Sequence, residues 1–412
     1  MMNILILTQY FWPESFLIND IAVGLIEKGC KVTVFTGKPN YPQGSFYEGY
    51  GFFKKSREFY KGIKIIRVPL IPRGKSGKIR LVINYVFFTL VSTLIAPIIC
   101  KEQYDAQLVF EPSPIFIGIP AIVLKKIRKI PIFFWVQDLW PESVSATDTV
   151  KSSRIINFIG HLVRYIYSNC DKILIQSKAF TESIIKWGGA KDKIEYYPNS
   201  VEDYFTREIK QHESSLDLVS PDGFKIMTAG NIGKAQSFET LIKAAEIVKT
   251  KNDKIHWIII GDGRMKSWVE NEVENRGLSD VVHLIGRHPK NTMPYFFSLA
   301  DVMLVSLKKD PIFALTIPSR VQSYLACGKP IIGSLDGEGA RIVNEAQAGI
   351  TCPTENPEAL ADIALRFYGM PVDDMKKMGC RGRAFFKKEF EREMLLERLN
   401  QMIRDFNKDK II

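Results

Sequence analysis

Six cysteines are spread through 412 residues as Cys30, Cys100, Cys170, Cys327, Cys352 and Cys380, and no two form a CxxC pair. That scatter argues against a disulfide framework or a cysteine-held zinc site, and fits a reducing cytoplasm. Histidine is scarce as well: five residues, at 161, 212, 256, 283 and 288, without metal-ligand spacing. No DxD pair is present to hold a divalent cation on a phosphate ester, and Asp373-Asp374 falls at a late polar helix start. Walker, GxGxxG and GxSxG motifs are missing too, so the usual signatures of P-loop, dinucleotide and serine-hydrolase sites do not apply. The expectation is a site without a metal or a cofactor.

Acid is also short in one half. Residues 1–200 carry 26 Lys+Arg against 15 Asp+Glu, while residues 201–412 carry 30 of each, so the net charge of +11 belongs to the first half. Between 54 and 80 there are ten basic residues and one acid, Glu58. LVINYVFFTLVSTLIAPIIC follows at 81–100, twenty residues without a charge. A basic run beside a long apolar segment suits an anionic membrane surface, whose headgroups attract each Lys or Arg by roughly 1 kcal/mol. The length meets the rule for a span, but Asn84, Thr89, Ser92, Thr93 and Pro97 soften it. A helix lying in the membrane surface is the preferred reading; a span and a buried helix stay open. Nucleic acid is not indicated, since no recognition motif accompanies the basic surface.

The rest is globular. Apolar residues make up 46% and charged residues 25%, and the length calls for two cores. The opening MMNILILTQYFWPE reads as a first strand, without the n-region and cleavage site of a signal peptide. Buried-strand patterns recur as NILILT, KVTVFT, IKIIRVP, AQLVFE, IPIFFWV and KILIQS, then as FKIMTAG, IHWIIIGDG, VVHLIGR, DVMLVSL and KPIIGS. Helical stretches lie between them at 17–28, 81–100, 115–128, 152–168 and 178–187, then at 237–250, 264–276, 292–299, 319–327, 338–347 and 356–368. The expectation is α/β: two Rossmann-like parallel-sheet domains, 1–200 and 201–390, facing across a cleft, with ligands at the carboxyl edges of the strands. They join near YYPNSVEDYF, followed by the polar stretch TREIKQHESSLDLVSPDG. A last helix, about 391–412, is expected to pack back on the first domain.

Three junctions in the second half suit anions. TAGNIGKAQSFETLIKAA sets Gly230, Asn231, Gly233 and Lys234 between a strand and a helix. IIIGDGRM repeats the device with Gly261, Gly263 and Arg264, and TIPSRVQSYLACGKPI puts Pro318, Ser319 and Arg320 at a helix start. Free N–H groups at such places collect phosphate, so three together point to a nucleotide diphosphate. In the first half, Glu111 and Asp138 follow buried strands, with Gln137 and Glu142 alongside. Tyr10, Trp12 and Glu14 occupy the loop after the first strand, and Asn40 and Tyr41 that after the second; aromatics there can stack on sugar rings or simply pack.

Quoted in order, LTQYFWPES, GKPNYPQG, EPSPIFIG, WVQDLWPES, PNSVE, GNIGKAQSFETLI, IIGDGRM, LIGRHPKNTMPYFFSLADVMLVSL, DPIFALTIPSRVQSYLACGKPI and DGEGARIV give the chain a family likeness over nearly its whole length. It resembles the family 4 glycosyltransferases of the GT-B fold, in the subgroup of WbuB-type bacterial O-antigen and capsule N-acetyl-fucosamine transferases. The resemblance implies retaining, metal-independent transfer of an aminosugar from a UDP-sugar to a polyprenyl-diphosphate-linked glycan at the cytoplasmic face of the inner membrane. Donor contacts would come from Gly230, Asn231, Gly233, Lys234, Gly263, Arg264, backbone near His288, Phe313, Pro318, Ser319, Glu338 and Arg341. Acceptor contacts would come from Tyr10, Trp12, Glu14, Asn40, Tyr41, Glu111 and Gln137. Asp138, Glu142 and Arg320 would take the catalytic roles.

The pattern is also broken. The wider family carries Glu-x7-Glu before the segment ACGKP, where this chain has Leu315 and Ser323. The arginine and lysine of the phosphate turn fall at Asn231 and Gln236. Glu338 is then the candidate for the ribose, and Arg320, Arg264, Lys234 and Arg341 for the phosphates. A sugar-nucleotide 2-epimerase of the same fold and a non-catalytic sugar-nucleotide-binding subunit remain as alternatives.

Overall fold

The structure, a computed structural model, describes residues 1–74, 77–146, 152–206 and 221–409. Lys75 and the polar stretch 207–220, with His212, lie outside the described residues, as do 410–412. The chain forms two compact units, Met1–Asn199 with Glu393–Ile412, and Ser200–Arg392.

The first unit is built on β1 (Asn3–Leu7), β2 (Lys31–Gly37), β3 (Arg57–Tyr60), β4 (Ile63–Val68), β5 (Ala106–Glu111), β6 (Ile132–Val136), β7 (Lys172–Ile175) and β8 (Ile194–Tyr196). They run in the order β3-β4-β2-β1-β5-β6-β7-β8. Every pairing is parallel except β3 with β4, so the sheet ends in an antiparallel hairpin that the buried-strand patterns do not announce. β3 escapes such a reading because REFY is short and no residue of it is buried; exposed and half-buried positions alternate along it, as on an edge strand. Chain order reverses beside β1, between β1 and β5, which is where open α/β sheets bind ligands.

Helices pack both faces because these strands are apolar on both sides. Ile4, Ile6, Leu108, Phe133 and Trp135 are fully buried, and the Trp135 indole N–H donates to the Tyr197 carbonyl at 3.0 Å. Helix Arg392–Asp409 closes this core with Leu395, Leu396, Leu399 and Ile403, none of them exposed. Each such aliphatic side chain contributes on the order of 1.5–3 kcal/mol. The charge-free segment is helix Lys78–Ile99. Asn84, Phe88, Ser92 and Ala96 recur every four residues along its inner face and are buried. Its outer face presents Ile79, Val82, Ile83, Val86, Leu90, Leu94 and Ile98. It is the one helix among the described residues long and apolar enough to cross a membrane by length and composition.

The second unit carries β9 (Phe224–Asn231), β10 (Ile255–Asp262), β11 (Val282–Gly286), β12 (Val302–Ser306), β13 (Ile331–Ser334) and β14 (Gly349–Cys352), all parallel, in the order β11-β10-β9-β12-β13-β14. Its reversal lies between β9 and β12. Two short helices, Glu142–Ala146 and Pro311–Leu315, add to those expected. Asp310 caps the latter, its carboxylate accepting from the Ile312 N–H at 2.7 Å.

Candidate functional site

At the carboxyl edge of the second sheet, Gly230 and Gly261 stand one residue before the ends of β9 and β10, and at Gly261 nothing larger fits. Gly261, at φ +145°, lies opposite Gly230, and a Cβ on it would fall 1.8 Å from the Gly230 carbonyl oxygen. The following loops interlock: Ile232 N–H donates to Asp262 O at 2.8 Å and Met265 N–H to Ile232 O at 3.0 Å. Asn231 and Gln236 occupy the turn together. The Gln236 carboxamide oxygen accepts from Gly233 N–H at 3.1 Å and from Asn231 Nδ2 at 3.4 Å. The turn is thus neutral and held by its own amides, with its cations at the rim. Lys234 and Arg264 are exposed there, and neither has an acid partner among the described residues.

Arg320 belongs to the same edge. Helix Ser319–Ala326 begins immediately after Pro318, and the Arg320 side chain lies back along β9. Its Nη1 donates to Thr228 Oγ1 at 3.2 Å, and its Cδ is 3.8 Å from where a Gly230 Cβ would stand. Burial lowers the guanidinium pKa, and among the described residues no carboxylate answers its charge. Tyr324, one turn on, accepts the Ala229 N–H at 3.1 Å, tying the helix to the strand end. Thr228 and Tyr324 therefore aim Arg320, a role without any signal in a threonine inside a strand and a tyrosine on an apolar face. Ser323 is buried with its hydroxyl on Ser319 O at 3.1 Å, and Leu315 is half-buried, so the two family-glutamate positions hold no charge.

Glu338 is buried in the first turn of helix Gly337–Glu345. That turn lies against helix Pro311–Leu315, which carries the half-buried Phe313: a Cβ on Gly337 would stand 2.0 Å from Ala314 O. Arg341, expected among the phosphate cations, is bound to Glu338 (Nε to Oε1, 2.6 Å) and also to Glu345. His288 packs its ring on Phe296, centroids 4.6 Å apart.

The carboxyl edge of the first sheet holds acids, most of them buried. Glu14 Oε1 accepts from the Asn40 and Tyr41 N–H groups, both at 2.7 Å, and Oε2 from Phe11 N–H at 3.3 Å. Burial raises its pKa to about 7 against those bonds, and the residue brackets the loops after β1 and β2. Tyr10 stacks on Phe16 at 5.1 Å and Trp12 on Tyr60 at 4.4 Å. Of the two readings left open for these aromatics, Tyr10 packs inward; Trp12 is half-buried and Tyr41 stays on the surface. Asn40 is fully buried and donates to Lys38 O at 3.0 Å.

Glu111 and Asp138 form a pair. The Glu111 carboxyl is fully buried, with Oε2 3.4 Å from the Asp138 N–H and Oε1 without a partner. Burial, then the Asp138 charge, raises its pKa well above the carboxylate range. Burial lifts Asp138 to about 6, against hydrogen bonds from Ser143 and the Leu139 backbone. Gln137 is beside them, its Nε2 buried without a partner. Glu142 is turned elsewhere: Oε1 accepts from Ser183 Oγ at 2.6 Å and Trp187 Nε1 at 2.9 Å, so this carboxylate fastens helix Phe180–Lys186. Among the described residues no group of three or more His, Cys, Asp or Glu could hold a metal ion.

Residues 16–204 match the family described as Glycosyltransferase Family 4, and residues 213–385 that described as Glycosyl transferases group 1. A relative named as a glycosyltransferase, WbjE of Pseudomonas aeruginosa, is 23% identical over 66% of this chain and 68% of its own. WcaI of Escherichia coli K12, named for colanic acid biosynthesis, is 23% identical over 79% of this chain and 82% of its own. Among solved structures, sucrose-phosphate synthase from Thermosynechococcus elongatus superposes with a TM-score of 0.75 at 16% identity, covering 98% of this chain and 99% of that one. Anabaena HepE, in complex with UDP and glucose, gives 0.69 at 12% identity, covering 98% and 100%.

Proposed function

Since the chain is a GT-B glycosyltransferase of the family 4, group 1 type, we propose that it transfers an aminosugar from a UDP-sugar to a lipid-diphosphate-linked glycan in surface-polysaccharide synthesis. The observation that carries this reading is the second sheet's carboxyl edge: Lys234, Arg264 and Arg320, without acid partners among the described residues, around a turn in which Gly261 and Gly263 leave no room for a larger residue. HepE, with UDP and glucose bound, makes a UDP-linked donor the first choice. The choice of N-acetyl-L-fucosamine rests on the sequence resemblance alone.

In this reading Arg320 and the N–H groups at Ser319 meet the donor's phosphates, and Glu338 the ribose. Charge grows on the diphosphate as its bond to the sugar breaks, so a fixed arginine stabilises the transition state more than the ground state. The leaving oxygen takes the acceptor hydroxyl's proton as the new glycosidic bond forms on the same face. This retains configuration and needs neither a protein nucleophile nor a metal. Asp138, ionised above about pH 6, orients the acceptor on the first unit. A position at the cytoplasmic face of the inner membrane belongs to the same proposal, with residues 81–100 toward anionic lipid.

The test incubates the protein with UDP-, GDP- and dTDP-sugars, with and without EDTA, and a short lipid-diphosphate-GlcNAc acceptor. Acceptor-dependent UDP release that survives EDTA is expected, with a loss of about a hundredfold in Arg320→Ala. Release that EDTA abolishes, epimerised donor, or Arg320→Ala that weakens donor binding with no turnover to lose would each overturn the proposal.

A further inference from the structure

The carboxyl edge of the first sheet contains a cation that this chemistry does not use. Arg73 is half-buried, its backbone N–H donating to Asn40 Oδ1 at 3.1 Å. Its guanidinium lies over the Tyr41 ring, 4.9 Å from the centroid. Its charge also acts on two phenols, Tyr10 and Tyr85, whose pKa values burial raises, so both remain hydroxyl donors. No acid pairs with Arg73 among the described residues. The nearby carboxylates are engaged: Glu14 by three backbone N–H groups, Glu58 by Arg67, and Asp138 by Ser143. An arginine set by stacking and a held backbone, with its charge unanswered, is a prepared anion site.

Two further observations point to a ligand here. Gln9 Oε1, Glu111 Oε1 and Gln137 Nε2 are buried without partners at this same edge, where such atoms call for an explanation. Ser113, after β5, holds φ at +128°, a conformation costing a non-glycine residue roughly 1–3 kcal/mol and found mostly where function requires it. Ser113 and Arg73 both lie close enough to the Tyr85 hydroxyl to act on it. Tyr85 stands on helix Lys78–Ile99, whose neighbouring exposed side chains are apolar: Ile79, Val82, Ile83 and Val86. A ligand with its charge at Arg73 finds an apolar ridge beside it.

We propose that Arg73, with Tyr85, binds the phosphate groups of an acceptor carrying a prenyl-type chain, the chain lying along the outer face of helix Lys78–Ile99. This site rests on the lipid-linked acceptor named above and adds its anchor.

Binding is read without turnover, by titrating farnesyl diphosphate, farnesol and inorganic pyrophosphate into the full chain in detergent micelles, with UDP as a control. Farnesyl diphosphate should bind, and Arg73→Ala should weaken it about tenfold, the loss of one charge-assisted contact. Arg73→Lys should lose less, with farnesol and UDP unchanged in both variants. Equal losses for farnesol and farnesyl diphosphate would mean that Arg73 only holds the loop, and overturn the site. No effect of either variant, or no binding of farnesyl diphosphate, would overturn it too. Pyrophosphate bound as tightly as farnesyl diphosphate would assign the site to a free anion and overturn the lipid part. Arg73-dependent binding by a protein inactive on every donor would support this site while removing the transferase reading.

Discussion

Glu14 shows most sharply how one residue ties sequence to behaviour. It is 1% exposed, yet its carboxyl accepts three backbone N–H groups. Burial wins, raising its pKa from 4.5 to about 7. Below about pH 4.5 folded and unfolded chains both hold the proton, and the site costs nothing. As pH rises toward 7 the unfolded chain releases it while the folded chain keeps it, so stability falls, by an amount on the order of 3 kcal/mol from this group. Glu14→Gln keeps the shape and removes the titration. Its melting temperature should be near that of the unaltered protein at pH 5 and progressively above it toward pH 8. A difference that does not change with pH would show that Glu14 is not held protonated. Sequence placed Glu14, Glu111 and Asp138 beyond the ends of strands, which topology then made a sheet edge. It did not show that Glu14 joins two loops or that Glu142 is occupied by Ser183 and Trp187, because those partners lie 26 to 45 residues away.

Elements were more legible than partners, for a physical reason. Parallel strands buried on both faces are continuous apolar runs, and eleven of them stand out against polar loops. Those that escaped are at the margins: β3 alternates, β8 (IEY) is three residues long, and β14 (GITC) is four and opens on glycine. Glycines were legible as loop punctuation, but only the fold says which are obligatory. At Gly261 the φ of +145° and the 1.8 Å approach to Gly230 O coincide, so a methyl group must separate β9 from β10 at the anion edge. Gly261→Ala should cost well over the ~1 kcal/mol of an ordinary glycine replacement. Gly277, also at positive φ but in open space, provides the comparison. Denaturant melts of the two variants decide it: equal midpoints would mean that the strand ends relax easily, and that the turn is not a rigid cradle.

For the whole molecule, the charge imbalance becomes a surface. Residues 78–101, 118–130 and 153–170 contain no Asp or Glu, and between them cover three helices of the first unit. Helix Ser153–Asn169 exposes Ile155, Phe158 and Tyr165 with Arg154 and Arg164, and helix Gly118–Arg128 ends in exposed Lys126, Ile127 and Arg128. Together with the outer face of helix Lys78–Ile99 they offer apolar side chains among cations, the composition that lies in the headgroup region of an anionic bilayer. The inner face argues for lying on the membrane over crossing it, since Asn84 Oδ1 accepts from Gln9 Nε2 at 2.7 Å inside the unit. The two forces separate by mutation. Replacing Arg154 and Arg164 by alanine removes two charges worth about 1 kcal/mol each, so binding to vesicles of 30% anionic lipid should weaken about thirtyfold, with little change on neutral vesicles. Leu90→Asp with Leu94→Asp should abolish sedimentation with either vesicle while leaving the melting temperature unchanged, because both leucines are exposed. Raising salt should weaken the unaltered protein's binding and not that of the alanine pair to the same degree. If the aspartate pair still sediments, these helices face something other than lipid.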